Sequence, residues 1–283
     1  MKKIIVFGCG QAGSMASKWL SDGYALLGFT DNAPSMWNTL FNGEPVFSPN
    51  EAVEQKPDEI LIAVVNSEAC AAIEKQLREM GFSGEVHSIQ PVRQKYDFRL
   101  ATLRLLADNL NRVPGAVAEL GVFQGAFAAE INKLFPTKVL YLFDTFDGFA
   151  ERDVKYEKDH YASRARNGDF SDTSVDVVLK RLPYPEQAII CKGWFPETLP
   201  QNLLPLCYVS LDADLYQPTY EGLLTFYPKL SPGGVILIHD CTSRQFPGVG
   251  DAVKRFCAEQ NLFVTPLCDL HGSGILRKGL SRA

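Results

Sequence analysis

Short apolar runs and stretches of helical periodicity alternate along the whole chain. Lys3-Ile4-Ile5-Val6-Phe7 is nearly continuous in apolar residues, as a strand buried on both faces requires. The turn Gly8-Cys9-Gly10-Gln11-Ala12-Gly13 follows, and the pattern then predicts a helix from Ser14 to about Asp22. Tyr24 to Thr30 reads as a second strand ending at Asp31, and Glu59 to Val65 as a third. A helix from Ser67 to Met80 and a short strand from Gly84 to Ile89 complete this half. Pro91 to Lys95 breaks the pattern, and Tyr96 to Asn111 reads as an amphipathic helix through Phe98, Leu103, Leu106 and Leu110. Seven further strand candidates follow: Ala116–Leu120, Lys138–Phe143, Gln187–Cys191, Cys207–Leu211, Val235–His239, Leu262–Thr265 and Gly274–Arg277. Helical stretches at 125–135, 174–182, 220–230 and 249–259 separate most of them. The last two strands are joined too tightly for a helical crossover, which predicts antiparallel neighbours. Ala150 to Thr173 shows neither period and reads as a lid or binding loop.

Strands alternating with helices define an α/β fold with two doubly wound domains. Residues 1–90 are expected to form a Rossmann-like domain, 91–112 a linker and connecting helix, and 113–283 a seven-stranded doubly wound domain. Composition narrows the classes. At 283 residues, 46% hydrophobic and 22% charged, the chain is an ordinary globular protein and neither a disordered nor a fibrous one. Its formal charge of −5, with no cluster of Lys and Arg, lacks the footprint of a nucleic-acid binder. Seven cysteines, odd in number and without a CxxC pair, fit free thiols in a reducing compartment. No signal peptide or apolar run of membrane-spanning length is present, so a soluble, cytoplasmic protein without membrane insertion is expected.

Two glycine turns carry candidate chemistry. Gly8-x-Gly10-x-x-Gly13 lies between a strand and a helix, with Asp31 ending the next strand. In that setting the first glycine makes the turn, the second admits a phosphate and the third lets helix pack on strand, while an acid holds ribose hydroxyls. Packing glycines in a fold that binds nothing would give the same letters. The second turn, Glu119-Leu120-Gly121-Val122-Phe123-Gln124-Gly125, has the acid-x-Gly-x-x-x-Gly form with Asp144 ending the next strand. That form fits S-adenosylmethionine (SAM) better than NAD.

A third constellation is acidic. Asp212-Ala213-Asp214 and His239-Asp240 both end predicted strands, where doubly wound sheets place their ligands. Asp212, Asp240 and His239 could surround one cation, with oxygen ligands suiting Mg²⁺ and a histidine moving the preference toward Mn²⁺ or Fe²⁺. Asp214 as a helix cap and His239 as a satisfied core histidine are the plainer readings. His87 and His271 read as structural and His160 as solvated, whereas Tyr156, Tyr161 and Phe170 are candidates for an apolar lid over a sugar ring or for hinge packing.

Two resemblances add to this. The segments Gly28-Phe29-Thr30-Asp31-Asn32-Ala33-Pro34 and Gly43-Glu44-Pro45-Val46 resemble the N-terminal nucleotide-binding domain of bacterial sugar acetyltransferases and polysaccharide-biosynthesis dehydratases. That resemblance implies a nucleotide or nucleotide-sugar bound by Gly8, Gly10, Gly13 and Asp31. From about residue 115 to 278, six motifs in order resemble the macrocin O-methyltransferase family. They include Leu142–Phe149, Gly168–Ser174, Gly193–Leu199, Leu211–Tyr216 and His239-Asp240. The family resemblance implies that residues 113–283 are a class I methyltransferase domain with SAM held by Glu119, Gly121, Gly125 and Asp144, and with Thr145, Phe146 and Trp194 near the adenine. It also implies a metal at Asp212 and Asp240, with His239 where better-studied members carry aspartate.

The expected function is therefore methyl transfer from SAM to a sugar hydroxyl, assisted by Mg²⁺ or Mn²⁺, in polysaccharide, glycolipid or natural-product biosynthesis. Asp212, His239 or Asp214 could take the hydroxyl proton. The expected partner is a small sugar or nucleotide-sugar, with no nucleic acid; a homo-oligomer is left open. Two rivals remain at this level: a nucleotide sensor without turnover, and an NAD-dependent sugar oxidoreductase using Gly8 to Asp31.

Overall fold

The computed structural model describes residues 1–243 and 245–280. The chain divides into two compact units, residues 1–97 with 268–270, and residues 98–267 with 271–283.

The first unit contains β1 (Lys2–Phe7), α1 (Gln11–Lys18), β2 (Tyr24–Thr30), β3 (Leu40–Phe41) and β4 (Glu44–Phe47). It continues with α2 (Pro49–Glu54), β5 (Glu59–Ile62), α3 (Ser67–Glu79), β6 (Glu85–Ser88) and α4 (Gln90–Lys95). Its six-stranded sheet has the order β3-β4-β2-β1-β5-β6, parallel except for the β3–β4 hairpin. The apolar run of β1 is central, so Ile4, Ile5, Val6 and Phe7 are buried on both faces. Helix starts follow local chemistry: Ser48 and Glu51 form a reciprocal capping box at α2, and the Asn66 side chain accepts from Ala69 N–H at α3. The expected linker at 91–95 is instead α4, with Pro91 in the first turn where a missing N–H costs nothing.

The second unit begins with α5 (Phe98–Leu110), β7 (Ala116–Leu120), α6 (Ala126–Leu134) and β8 (Leu140–Asp144). Next come α7 (Glu151–His160), α8 (Val175–Arg181), β9 (Ala188–Lys192) and β10 (Leu206–Leu211). It ends with α9 (Tyr216–Lys229), β11 (Leu230–Ile238), α10 (Pro247–Gln260), β12 (Thr265–Pro266) and β13 (Gly274–Arg277). The sheet order is β12-β13-β11-β10-β7-β8-β9, and β13 runs antiparallel to both its neighbours, as the short connection requires. Strands β7 and β10 are buried at every position, Glu119 and Ser210 being their polar exceptions to an apolar run. Two apolar layers flank the sheet, one around Phe143, Phe195 and Phe226 and the other around Phe135, Leu142 and Tyr208.

Helix α5, which the sequence allows as a connector or as the first helix of the second domain, lies in the second unit. Two sequence expectations are corrected here: the buried stripe of α5 is Arg99, Leu103, Ala107 and Leu110, and the stretch after Ala150 is not irregular throughout. Phe98, expected inside, is 39% exposed. The expected irregular lid at 150–173 contains α7, whose inward positions are Asp153, Val154 and Glu157. Glu157 is fully buried and accepts from Tyr216 N–H at 3.0 Å and Gly248 N–H at 3.2 Å. It thereby satisfies orphan donors at the starts of both α9 and α10 with a negative charge where the helix dipoles favour one. Position 248 must stay small, because a Cβ there would lie 2.5 Å from the Glu157 carboxylate.

Glu157→Ala should therefore lower stability by about 3 kcal/mol, with Glu157→Gln costing less because one acceptor oxygen remains. Urea titration of the two variants measures this; equal stability of parent and Glu157→Ala would show that the two helix starts do not depend on the carboxylate.

Candidate active site

The backbone ladder of the second sheet assembles the site. Gly121 N–H donates to Phe143 O, Asp212 N–H to Leu120 O, and His239 N–H to Leu211 O. The residues that leave β7, β10 and β11 are thus adjacent at one edge, and Asp144 ends β8 beside them. They open on a cavity of about 430 Å³, within the range for small-molecule sites. Its lining includes Glu119, Gly121, Asp144, Thr145, Trp194, Asp212, Asp214, His239 and Asp240. Phe123, Phe149, Phe170 and Phe246 add an aromatic wall of edge-to-face contacts, with centroids 5.1 to 5.9 Å apart.

Three lining residues that are not glycine, Phe123, Asp214 and Asp240, have left-handed backbone with φ of 49°, 59° and 56°. Such conformations are uncommon outside glycine and concentrate at functional sites. The glycines serve packing as well as any ligand. A Cβ on Gly121, where φ is +85°, would meet the Asp212 carbonyl at 1.9 Å; one on Gly125 would meet the Val178 side chain at 2.9 Å.

Asp144 acts first on the protein itself. Its Oδ2 accepts from Val122 and Phe123 N–H at 2.7 and 2.9 Å, and its Oδ1 from Phe146 N–H at 2.7 Å. The carboxylate shapes the glycine turn while still facing the cavity. The 168–174 segment closes over the same turn, since Gln124 donates to Asp172 and Thr173 Oγ1 donates to Phe123 O. Trp194 lies on the cavity wall, its indole N–H donating to Asp153 at 2.8 Å and its ring under the Arg152 guanidinium. Phe146 departs from expectation: its ring is 2% exposed in the core and does not reach the cavity. The left-handed turn at 146 directs it inward. Tyr156 and Tyr161 are not lid residues either; they stack on Tyr216, and His160 stacks on Tyr156. Phe170 does line the cavity.

The acidic cluster is held by two cations. Asp212 Oδ2 lies 2.5 Å from Arg99 Nη1 and its Oδ1 lies 2.9 Å from His239 Nδ1, which is also 3.0 Å from Asp240 Oδ2. Burial alone would raise the Asp212 pKa, but Arg99 and then His239 hold it well below the usual carboxylate range. Burial opposes the charged form of His239, yet Asp212 and Asp240 push its pKa up to about 10. Asp214 is shifted upward by burial and by Asp212 and Asp240. Carboxylate oxygens of Asp212, Asp214 and Asp240 come within 4.8 Å of one another, as do ligand atoms of His239, Asp240 and His271. The first group is a hard oxygen set that fits Mg²⁺ or Mn²⁺. Arg99 gave no sequence signal beyond its place on a helix.

In the first unit the Gly8 turn and Asp31 come together as expected. Asp31 Oδ2 accepts from Cys9 N–H at 2.8 Å and Oδ1 from Ala33 N–H at 2.9 Å, so this acid also shapes its turn. Gly13 is required by packing, since a Cβ would lie 1.9 Å from Gly8 O, whereas the space beside Gly10 is open. His87 lies 3.4 Å from both Glu59 and Glu85 at the edge of that sheet.

A glycine turn, strand-end acids and this strand order define a methyltransferase fold. The chain belongs to the macrocin O-methyltransferase family, whose model matches residues 64–278. A separate model, described as C2185-like, N-terminal, matches residues 1–86. Among curated relatives, demethyldecarbamoylnovobiocin O-methyltransferase of Streptomyces niveus is 26% identical over 57% of this chain and 66% of its own length, just under two thirds. Mycinamicin III 3''-O-methyltransferase of Micromonospora griseorubida is 28% identical over 60% of this chain and 72% of its own. The structure of the O-methyltransferase NovP aligns with a TM-score of 0.53 and 25% identity, covering 64% of this chain and 79% of that one. Calicheamicin methyltransferase CalS11 shares the fold with a TM-score of 0.53 at 21% identity, over 76% of this chain and 94% of that one.

Two predictions follow from this geometry. Asp144→Ala removes acceptors that fix the turn, each worth about 1.5–3 kcal/mol, and should weaken SAM binding roughly tenfold or more; calorimetry on the folded variant reads it. Burial pushes the Glu119 carboxyl up to about 8, against the pull of Arg99. Between the ordinary glutamate value and about 8, the native state keeps a proton that the unfolded chain has released. Stability should therefore fall as pH rises through that window, and Glu119→Gln should flatten the fall. Denaturant midpoints at pH 5 and 8 for both proteins give the comparison.

Proposed function

We propose that this protein transfers a methyl group from SAM to a sugar hydroxyl of a small molecule, with a divalent cation at the acidic cluster. The observation that carries the proposal is the opening of Gly121, Asp144, Asp212, Asp214 and Asp240 onto one cavity. A methyl donor and a cation-bound hydroxyl would meet there. SAM supplies an electrophilic methyl on a sulfonium, so the protein must mainly orient the acceptor in line and accept its proton. Asp144 and the turn at 121–125 would hold the donor, with Thr145 and Trp194 on the adenine side. Asp212 and Asp240 would hold the cation (Mg²⁺ or Mn²⁺), which would acidify the hydroxyl and fix its angle. Asp212 is occupied by Arg99 and His239, and His239 is itself shared between two acids. Asp214 opens on the same cavity beside the cluster and would be the proton acceptor.

The relatives support a sugar acceptor: besides mycinamicin III 3''-O-methyltransferase, a Streptomyces olivaceus relative, 24% identical over 67% of this chain and 74% of its own, is the 4'-O-methyltransferase of a dimethoxy-rhamnosyl tetracenomycin. A role in polysaccharide, glycolipid or natural-product assembly is part of this proposal. For the first unit we propose a nucleotide or nucleotide-sugar ligand, supported by the open space beside Gly10 at the start of α1. Among the described residues no helix is long and apolar enough to cross a membrane.

Methyl transfer should stop in excess chelator and return with Mg²⁺ or Mn²⁺. Asp240→Asn should bind SAM like the parent while turnover falls by about 10². Undiminished turnover in chelator would remove the cation from the mechanism, and failure of the parent to bind SAM in calorimetry would remove the methyltransferase reading altogether.

A further inference from the structure

Arg99 stands at position 2 of α5, before the first strand of the second unit and outside the glycine turn and the strand ends. It is nevertheless buried, 8% exposed, behind Phe127 and Asp212, which line the cavity. One face of its guanidinium lies on the Phe127 ring, with the central carbon 3.8 Å from the centroid. Nη1 contacts Asp212 Oδ2 at 2.5 Å and Nη2 donates to Ser210 Oγ at 2.9 Å. Ser210 Oγ in turn donates to Glu119 Oε1 at 3.1 Å, and Nη2 is itself 3.8 Å from that oxygen. One planar cation therefore bridges the carboxylate that leads into the glycine turn and the carboxylate that leads into the acidic cluster.

We propose that Arg99 is a positioning residue for methyl transfer, fixing the Asp212 carboxylate between itself and His239 so that the acidic cluster keeps its shape toward the acceptor. The inference rests on the methyltransferase reading above and adds a residue to it. The geometry excludes a purely electrostatic role for any cation at this position. Two Nη donors reach two different acceptors while the plane stacks on Phe127, a combination that a lysine ammonium lacks. Without Arg99 the Asp212 carboxylate would keep only its contact to His239, and its remaining oxygen would be free to turn away. A small loss of angle at a reacting hydroxyl is enough to cost orders of magnitude in turnover.

The test uses the full chain and three variants. Arg99→Met keeps length and loses donors, Arg99→Lys keeps charge and loses the fork, and Arg99→Ala opens a space beside Phe127 that methylguanidinium can enter from the cavity. SAM affinity is measured by calorimetry, turnover with saturating SAM, and the Asp212 rotamer by crystallography of Arg99→Met. Expected are parent-like SAM affinity in all three variants and a fall in kcat of about 10² for Arg99→Met. A partial fall is expected for Arg99→Lys. In Arg99→Met the Asp212 oxygen that meets Arg99 in the parent should have turned away while the contact with His239 remains, and methylguanidinium should restore kcat in Arg99→Ala without changing the KM for SAM. A merely structural arginine would lower stability without giving that concentration-dependent rescue of kcat. Parent-like kcat in folded Arg99→Met, or an unmoved Asp212, overturns the proposal. A parent that binds SAM but methylates no acceptor tried would count against the proposed reaction, and the Asp212 rotamer would still decide the role of Arg99.

Discussion

Carboxylates crowded at one sheet edge are the constraint around which the second unit is organised. Glu119, Asp212, Asp214 and Asp240 leave strands that the ladder makes neighbours, and burial there would favour their neutral forms. Arg99 and His239 offset this, and their contacts with Asp212 decide which of the acids stays ionised. A buried ion pair is weak evidence for stability, because desolvation can consume the attraction. Its value here is directional: each oxygen of Asp212 has a separate cation. Chemistry at a hydroxyl needs that fixed direction more than it needs stability.

The same device recurs in both units. A strand-end aspartate, Asp31 or Asp144, accepts backbone N–H groups from the glycine turn that ends the preceding strand. Each turn is thus shaped by its neighbour strand before any ligand arrives. The acid in such motifs is usually read as a ribose contact. In this protein it is also a scaffold, so its replacement disturbs the turn and the ligand together.

How much was legible in the sequence depended on what lined the inward face. Strands Tyr24–Thr30, Ala116–Leu120 and Gly274–Arg277 are legible to the residue because each is a short, mainly apolar run bounded by glycine, charge or turn residues. Helix α7 was missed for the opposite reason. Its inward face carries Asp153 and Glu157, so hydrophobic periodicity is blind to it. On α5 the apolar letters pointed to Phe98, whereas the buried stripe begins at Arg99, a residue that pattern reading assigns to solvent. Strands β3 and β4 were too short to show a period. The acids of the site were visible because strand ends are where parallel sheets place ligands. Arg99 was not, because a single charged letter on a helix does not say which acids it will meet.

The glycines show how a motif divides into separate requirements. Gly13 and Gly121 are fixed by contact with other backbone, since a Cβ at either would lie 1.9 Å from a carbonyl oxygen. Gly125 is fixed by the Val178 side chain and by its own positive φ. Those three would be needed in a fold that bound nothing. Gly10 differs: its backbone φ is −96°, ordinary for any residue, and a Cβ there would meet nothing within 4 Å. Neither conformation nor packing within the chain asks for glycine at that place. The backbone at the start of α1 is open there, and that opening is what the nucleotide ligand proposed for the first unit rests on. Of the glycines in the two turns, Gly10 is therefore the one that packing within the chain does not account for.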